Sequence, residues 1–101
     1  MDLRATVDLE TTGLRPGFIL EIACVLIDEN YKKHGEFHRI IRPVGWGDTW
    51  MLEKFDEVAL RMHRNNGLID EVYKGLSEDI VYAEFCDFLY HAKKRAEGDN
   101  V

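Results

Sequence analysis

Two acidic side chains near the start of the chain have the type and spacing needed for metal chemistry. Asp8 and Glu10 are separated by one residue within an alternating segment, residues 4–10. In a β-strand, side chains two positions apart point to the same face and lie about 7 Å from each other. Mg²⁺ prefers oxygen ligands, and a pair of such ions can stabilise the attacking and leaving oxygens of a phosphoryl group. The pattern therefore indicates a candidate metal site for phosphoryl chemistry.

The same spacing has a simpler interpretation. Half-exposed strands commonly carry polar residues on their solvent face, and the two acids could be unrelated members of such a face. Periodicity alone favours this simpler interpretation, so other residues must decide between the two.

The elements that would position these acids follow from periodicity and from turn residues. Residues 4–10 alternate between apolar and polar side chains, which predicts a strand. Residues 18–28 are nearly continuous and apolar, and residues 34–42 fit a third strand that is closed by Pro43. The connections are short, so we predict a three-stranded antiparallel meander in the first half of the chain.

The second half of the chain has helical periodicity. The predicted helices are one from a cap at Asp48 or Thr49 to Asn66-Gly67, a short turn at residues 68–73, and a longer one from a cap at Ser77 to Gly98. The predicted fold class is therefore α/β, with the meander followed by two to three helices.

Composition limits the classes of function. The chain has 101 residues and a formal net charge of −6, which fits one small domain and opposes unaided binding of a long polyanion. It contains no apolar run of membrane-spanning length and no apolar leader, so we expect a cytoplasmic protein with no membrane partner. Cys24 and Cys86 lack metal-ligand spacing and are interpreted as buried reduced thiols.

Two strings in the sequence resemble a known family. Residues 7–14 (VDLETTGL), followed by residues 19–23 (ILEIA), are similar to the first exonuclease motif of the DEDD superfamily of 3′–5′ exonucleases. Residues 62–72 (MHRNNGLIDEV) look like the oligoribonuclease segment in which a Thr-His pair leads into Ser-Gly-Leu. The strings occur in the family's order, and together with the same strand-strand-strand-helix plan the resemblance covers nearly the whole chain. The resemblance implies a partial ribonuclease H-like exonuclease fold.

The resemblance also implies roles for the two acids. Asp8 and Glu10 match the first two of the family's four metal-binding acids. They are therefore the expected catalytic residues, and Mg²⁺ or Mn²⁺ is the expected cofactor. The expected reaction is hydrolysis of short single-stranded RNA or DNA from its 3′ end.

Five further residues are expected to bind this substrate. Backbone groups at Thr11 and Thr12 would hold the 3′-terminal nucleotide, and Leu14 would wedge against its base. Gly13 belongs to the same turn, where any tight turn favours glycine, and Leu14 could equally be a packing residue. His63 matches a family histidine that approaches the nucleotide, although a histidine in the last turn of a helix also complements the helix dipole.

The sequence departs from the family at a stacking position. Oligoribonucleases often have a tryptophan five residues before this histidine, and Val58 occupies that position here. A base-stacking platform is then expected only if Trp46 or Trp50 replaces it. Ordinary packing is the preferred interpretation of both tryptophans.

The family's remaining catalytic residues have no counterpart in this sequence. A third acid, a general-base histidine and a fourth acid are expected after the long helix, where the sequence reaches Val101. Residues 1–101 are thus expected to form the amino-terminal part of one exonuclease domain, with doubtful activity alone. The first strand lies mid-sheet in the family and would be an open edge here. We expect complementation by a carboxy-terminal half, or a homodimer.

The sequence is also compatible with a binding function and has a weaker likeness to a phosphotransferase. A non-catalytic nucleic-acid-binding or interaction remnant would keep the fold and lose the chemistry. A phosphotransferase of the haloacid dehalogenase type would begin with an Asp-x-Asp-x-Thr string. Glu10 replaces the second aspartate, and an antiparallel second strand does not belong in that parallel sheet, so this alternative is disfavoured.

Overall fold

The structure of the chain is a computed structural model that describes residues 2–13 and 17–98, apart from the side chain of residue 52. Its elements, in chain order, are β1 (Arg4–Thr11), β2 (Ile19–Ile27), β3 (Lys33–Ile40), α1 (Asp48–Lys54), α2 (Glu57–Asn65), α3 (Leu68–Val72) and α4 (Glu78–Ala96). The chain is mixed α/β, with three strands followed by helices, as the sequence predicts.

The three strands form one antiparallel sheet in the order β1-β2-β3. Val7 lies opposite Cys24, which in turn lies opposite Phe37, whereas the neighbouring Asp8 lies opposite Ala23. Because side chains alternate along a strand, Val7, Cys24 and Phe37 share one face of the sheet, and Asp8 points to the other. The predicted meander is confirmed.

Helix α4 covers the apolar face of this sheet. The ring of Phe37 lies 5.2 Å from that of Phe85 and 5.4 Å from that of Phe88, measured between ring centroids. A Cβ atom at Gly35 would lie 3.1 Å from the Phe88 ring, so glycine at this position lets the helix approach β3 closely. These contacts place α4 over β2 and β3 and leave β1 beside it.

The two cysteines occupy different environments. Cys24 is buried in the core under α4 as predicted, and burial raises the pKa of its thiol. Cys86 is exposed, so the prediction that it is buried is wrong. The buried side of α4 contains Val81 and Ala92. A residue five positions after Val81 lies about 140° around the helix from it, which turns Cys86 towards solvent.

A second core lies where β2 meets the helices. Its buried members are Leu20, Leu68 and Val72, and three partly buried side chains pack against them: Ile40, Trp46 and Phe55. Helix α3 has only five residues and contributes three buried side chains. So short a helix is marginal by itself, and this packing holds it in place.

The single helix predicted over residues 48–66 is two helices, so this prediction is wrong. Phe55 interrupts it with extended backbone (φ −89°, ψ 140°). Asp56 then caps α2, because its carboxylate accepts a hydrogen bond from the Val58 N–H at 3.2 Å. The Asp56 N–H donates to the Thr12 carbonyl at 2.8 Å. A residue inside a helix has no free N–H for such a bond, so the tertiary contact and the helix break occur together.

The other helix boundaries are a mixture of confirmed and corrected predictions. Gly47, and not Asp48 or Thr49, is the N-cap of α1. Ser77 is the N-cap of α4, and Gly98 follows the end of that helix with φ +86°, both as predicted. The described residues contain four helices in place of two to three. None of these helices has both the length and the apolar character needed to cross a membrane.

Strand β1 forms one edge of the sheet in the part of the chain that the structure describes. Val7 is 47% exposed and Leu9 is 42% exposed, although both lie on the face that α4 covers elsewhere. The expectation of an open first strand with apolar residues exposed is confirmed for these residues.

Asp28 holds the turn between β2 and β3. Its carboxylate accepts hydrogen bonds from the backbone N–H groups of Asn30 at 2.8 Å and Lys32 at 3.0 Å, and from Nε2 of His34 at 2.7 Å. Tyr31 adopts left-handed backbone in the same turn, with φ +65°. The hydrogen bond from His34, together with those from the backbone, holds the pKa of Asp28 below its usual range.

Replacement of Asp28 with asparagine should lower the free energy of unfolding and flatten its dependence on acidic pH. Because the folded pKa is lowered, the carboxylate stabilises the fold fully above its unfolded pKa of about 3.9, and this contribution is lost as the pH falls through that value towards the folded pKa. Urea unfolding at a series of pH values measures the difference. Asp2→Asn, at an exposed position, is the control and should keep the wild-type slope. Parallel stability curves for Asp28→Asn and wild type would contradict the assignment.

Candidate functional site

Asp8 and Glu10 lie in the second half of β1, on the sheet face opposite α4. Asp8 is exposed and Glu10 is half-buried. Their shared face and their spacing of about 7 Å follow from positions two residues apart in a strand. Both carboxylates can therefore offer oxygen ligands to a cation that approaches from solvent.

Glu21 adds a third acid to this face, because it lies directly opposite Glu10 across the first pair of strands. Like charges in that arrangement destabilise a sheet. The Glu21 carboxylate accepts a hydrogen bond from Nε2 of His38 at 2.5 Å, which offsets part of the repulsion. A cation bound at Glu10 would offset more of it.

The donor set of these acids fits a partial metal site. Within residues 2–13 and 17–98, no group of three or more His, Cys, Asp or Glu side chains is arranged to hold a metal ion. Mg²⁺ is often held by one or two carboxylates together with water and substrate phosphates. Asp8 and Glu10 are compatible with that arrangement, in which the substrate supplies the remaining ligands.

Thr12 fixes the turn that follows β1 and is fully buried. Its N–H donates to the Phe18 carbonyl, and its Oγ1 accepts from the Phe18 N–H, both at 3.0 Å. Its carbonyl accepts from the Asp56 N–H at 2.8 Å. The turn is thus joined to the segment before β2 and to the start of α2. These backbone groups already have partners in the fold, so nucleotide binding through Thr12 stays a prediction.

Gly13 occupies a position that has no room for a side chain. Its φ is +148°, and a Cβ atom would lie 2.6 Å from the Cβ of Asp56. The hydroxyl of Thr11 donates to the Gly13 carbonyl at 3.1 Å, which stabilises the turn locally. Glycine therefore lets the start of α2 approach the end of β1. Leu14, the predicted wedge, lies outside the described residues.

His63 joins the end of α2 to the end of β1. Its ring is 1% exposed, and its Nε2 donates to the Thr11 carbonyl at 2.6 Å. The ring of Phe55 lies 6.2 Å away in an edge-to-face arrangement. The Nδ1 atom is buried and has no hydrogen-bond partner among the described residues. His63 therefore has a positioning role that the sequence did not predict, and its approach to a nucleotide stays a prediction.

A cleft of about 230 Å³ lies between β1 and α2. Its lining residues are Leu9, Glu10, Thr11, Gly13, Asp56, Val58, Ala59, Met62 and His63. The structure thus brings together four of the predicted site residues: Glu10, Thr11, Gly13 and His63. Asp8 lies on the same strand face as Glu10 but is not among the lining residues, and Thr12 is buried within the turn.

The apolar wall of the cleft is on α2. Val58 is 65% exposed and Met62 is 50% exposed, and they lie one helical turn apart. Both side chains line the cleft, so a flat ring could pack against them. Val58, the residue in place of the tryptophan that the resemblance led us to expect, thus lines the cleft.

Trp46 and Trp50 pack away from this cleft. Their ring centroids are 5.1 Å apart, and both contact Phe55, at 5.9 Å and 6.1 Å respectively. Trp50 also contacts the ring of Phe18 at 5.3 Å. The interpretation of both tryptophans as packing residues is confirmed, and neither is among the residues that line the cleft.

Asp56 is the site residue that sequence reasoning missed. Its carboxylate caps α2, its N–H binds the Thr12 carbonyl, and it lines the cleft. The signal was present, since an aspartate followed by Glu57 is typical of a helix start. Because the residues on both sides of Asp56 have helical periodicity, the sequence predicted one continuous helix and not a helix start at this residue.

Comparison with protein-family models and with curated proteins finds no match to this chain. The interpretation of the site therefore depends on its motif residues and on the contacts described above.

Replacement of His63 with alanine should lower the free energy of unfolding by about 2–4 kcal/mol, because it removes a buried hydrogen bond and opens a cavity. Chemical unfolding followed by circular dichroism measures this loss. Arg64→Ala, at the next and exposed position, should change stability by less than about 0.5 kcal/mol. His63→Gln keeps an N–H donor and should recover part of the loss. Equal midpoints for His63→Ala and Arg64→Ala would show that the link to Thr11 contributes nothing.

Proposed function

We propose that the chain is the amino-terminal part of a 3′–5′ exonuclease domain of the DEDD superfamily, closest to the oligoribonucleases. Its substrate would be short single-stranded RNA or DNA, and its cofactor Mg²⁺ or Mn²⁺. The observation that carries the proposal is the placement of Asp8 and Glu10 at the end of β1, beside a cleft that Glu10 shares with Thr11, Gly13 and His63.

The fold supports this proposal at a coarse level. A ribonuclease H-like exonuclease begins with a three-stranded antiparallel meander, and the sheet here has the order β1-β2-β3. In that fold the first strand also pairs with a later strand on its other side. The outer side of β1 carries no strand within the described residues, so it is available for such pairing.

Each residue of the site would have a distinct task in the reaction. Asp8 and Glu10 would hold the cations, and bound cations would supply charge stabilisation at the attacking and leaving oxygens of the scissile phosphate. Val58 and Met62 would pack against the terminal base, since they form the exposed apolar wall of the cleft. His63 would keep the turn at Thr11 in position through its hydrogen bond to the carbonyl.

The same contacts limit what the chain can do by itself. Two carboxylates fill only a few coordination positions of two cations, so water and substrate must supply the remaining ligands. The ring of His63 is buried against Thr11, and that of His38 is bonded to Glu21, so neither is placed as a free base for the attacking water. We therefore expect slow turnover by this chain alone and faster turnover when a further polypeptide completes the site.

A second candidate function is binding without hydrolysis. Among the described residues, no three His, Cys, Asp or Glu side chains are grouped to hold a metal ion, which favours this function. The burial of His63 also favours it, because a buried ring cannot act on a substrate. In this case the cleft would bind the end of an oligonucleotide and no bond would be cleaved.

Hydrolysis of a labelled dinucleotide with Mg²⁺ or Mn²⁺ tests the proposed function. Asp8→Ala should reduce the rate about 100-fold or more, because loss of a metal ligand removes several kcal/mol of charge stabilisation. Asp70→Ala removes an exposed carboxylate from α3 and should leave the rate unchanged. If Asp8→Ala hydrolysed the dinucleotide at the wild-type rate, the exonuclease proposal would be wrong.

Calorimetric titration with a short oligonucleotide separates the two candidate functions. Metal-dependent binding without hydrolysis would favour the binding function. Neither binding nor hydrolysis would contradict both functions.

A further inference from the structure

The outer edge of β1, like that of β3, is one of the two strand edges of the described sheet. The strand is eight residues long, and its outer backbone groups face no other strand in the part of the chain that the structure describes. Edges of this kind pair readily with another strand. Val7 and Leu9 add exposed apolar side chains to the same edge, at 47% and 42% exposure.

The apolar surface at this edge continues from the strand to helix α4. Ala5 alternates with Val7 and Leu9 on the face of β1 that points towards α4. An open cleft of about 480 Å³ separates β1 from α4, and its apolar lining includes Leu3, Ala5 and Leu89. A strand that extended the sheet beyond β1 would help to cover this surface, because its own apolar side chains would lie on the same side.

The sequence of β1 is complementary to itself. When two copies of the strand pair antiparallel about Val7, Arg4 of each copy lies opposite Glu10 of the other, so two pairs of opposite charge form. Ala5 lies opposite Leu9, and Val7 lies opposite Val7 of the second copy, so the apolar side chains also meet. Opposite charges and apolar pairs both stabilise cross-strand neighbours.

Other registers of the same two strands are less favourable. A register centred on Thr6 also forms two pairs of opposite charge, Arg4 with Asp8, but it adds two pairs of like charge, Glu10 with Asp2. A register centred on Asp8 places that carboxylate opposite its own copy. A parallel pairing in register places every charge opposite the same charge. If the register of the antiparallel pair shifts by one residue, the apolar side chains of one strand lie on the same sheet face as the acidic side chains of the other. The pairing centred on Val7 avoids all of these conflicts.

We infer that the chain forms a homodimer in which the β1 strands of two copies pair antiparallel about Val7. The sheets of the two copies join into one continuous sheet, with both α4 helices on the same side. The interface is isologous, as the two-fold axis requires. The inference is argued from the strand edge and does not depend on the proposed exonuclease function, although Glu10 belongs both to the pairing and to the cleft. It occupies the edge that a later strand of a complete exonuclease domain would use, so the two pairings exclude each other.

Cysteine scanning with the full chain tests the register. In a Cys86→Ser background, Val7→Cys should form an intermolecular disulfide on oxidation with copper phenanthroline. Opposed residues of antiparallel strands have Cα atoms about 4.5–5.5 Å apart, within disulfide range. Ala5→Cys is the matched control, because the two Ala5 positions would be about 13 Å apart along the strands. Faster crosslinking of Thr6→Cys or Asp8→Cys than of Val7→Cys would overturn the register.

Sedimentation velocity over a wide range of chain concentrations tests the dimer itself. The wild-type chain should sediment as a dimer that dissociates on dilution, and a monomer at every concentration would overturn the inference. Arg4→Glu and Glu10→Arg should each weaken the dimer several-fold, because each places like charges opposite one another at both ends of the pairing. The double variant should recover the wild-type dissociation constant. A double variant as weak as the single ones, with circular dichroism like that of wild type, would also overturn the inference.

Discussion

The attachment of α2 to the end of β1 is the constraint on which the rest of the candidate site depends. The Thr12 carbonyl accepts from the Asp56 N–H, and the Thr11 carbonyl accepts from the ring of His63. Buried carbonyls without partners would cost free energy, so these bonds satisfy the turn as well as positioning the helix. The helix in turn supplies the apolar wall of the cleft beside Glu10. The shape of the site is therefore set by backbone groups that take no part in the proposed chemistry.

The parts of this arrangement that could be predicted from sequence are those specified by local patterns. Alternation along residues 4–10 placed Asp8 and Glu10 on one face, because a strand has a period of two whatever surrounds it. The short connection between the second and third strands and the cap at Ser77 depend on residues close in sequence, and both occur as predicted. Such features need no knowledge of the tertiary structure.

The parts that could not be predicted depend on contacts between distant segments. Residues 48–66 have the periodicity of one helix, but the bond between Asp56 and Thr12 requires a free N–H in the middle of that stretch. The burial of His63 likewise depends on its bond to Thr11, which no local pattern encodes. Cys86 was mispredicted because α4 packs on the sheet along a narrower stripe than its apolar residues suggest. In each case tertiary packing overrode a local preference.

The sequence separation of these contacts also bears on how the protein folds. The turn held by Asp28 joins neighbouring strands through residues within six positions of one another, so the β2–β3 hairpin can form early. His63 and Thr11 lie 52 residues apart, so their bond forms only after a long loop has closed. We therefore expect the cleft to form after the β2–β3 hairpin. Local opening that spares the hairpin would separate α2 from β1 and remove the cleft. In such an opening the two acids would stay on their strand, while the apolar wall supplied by α2 would be lost.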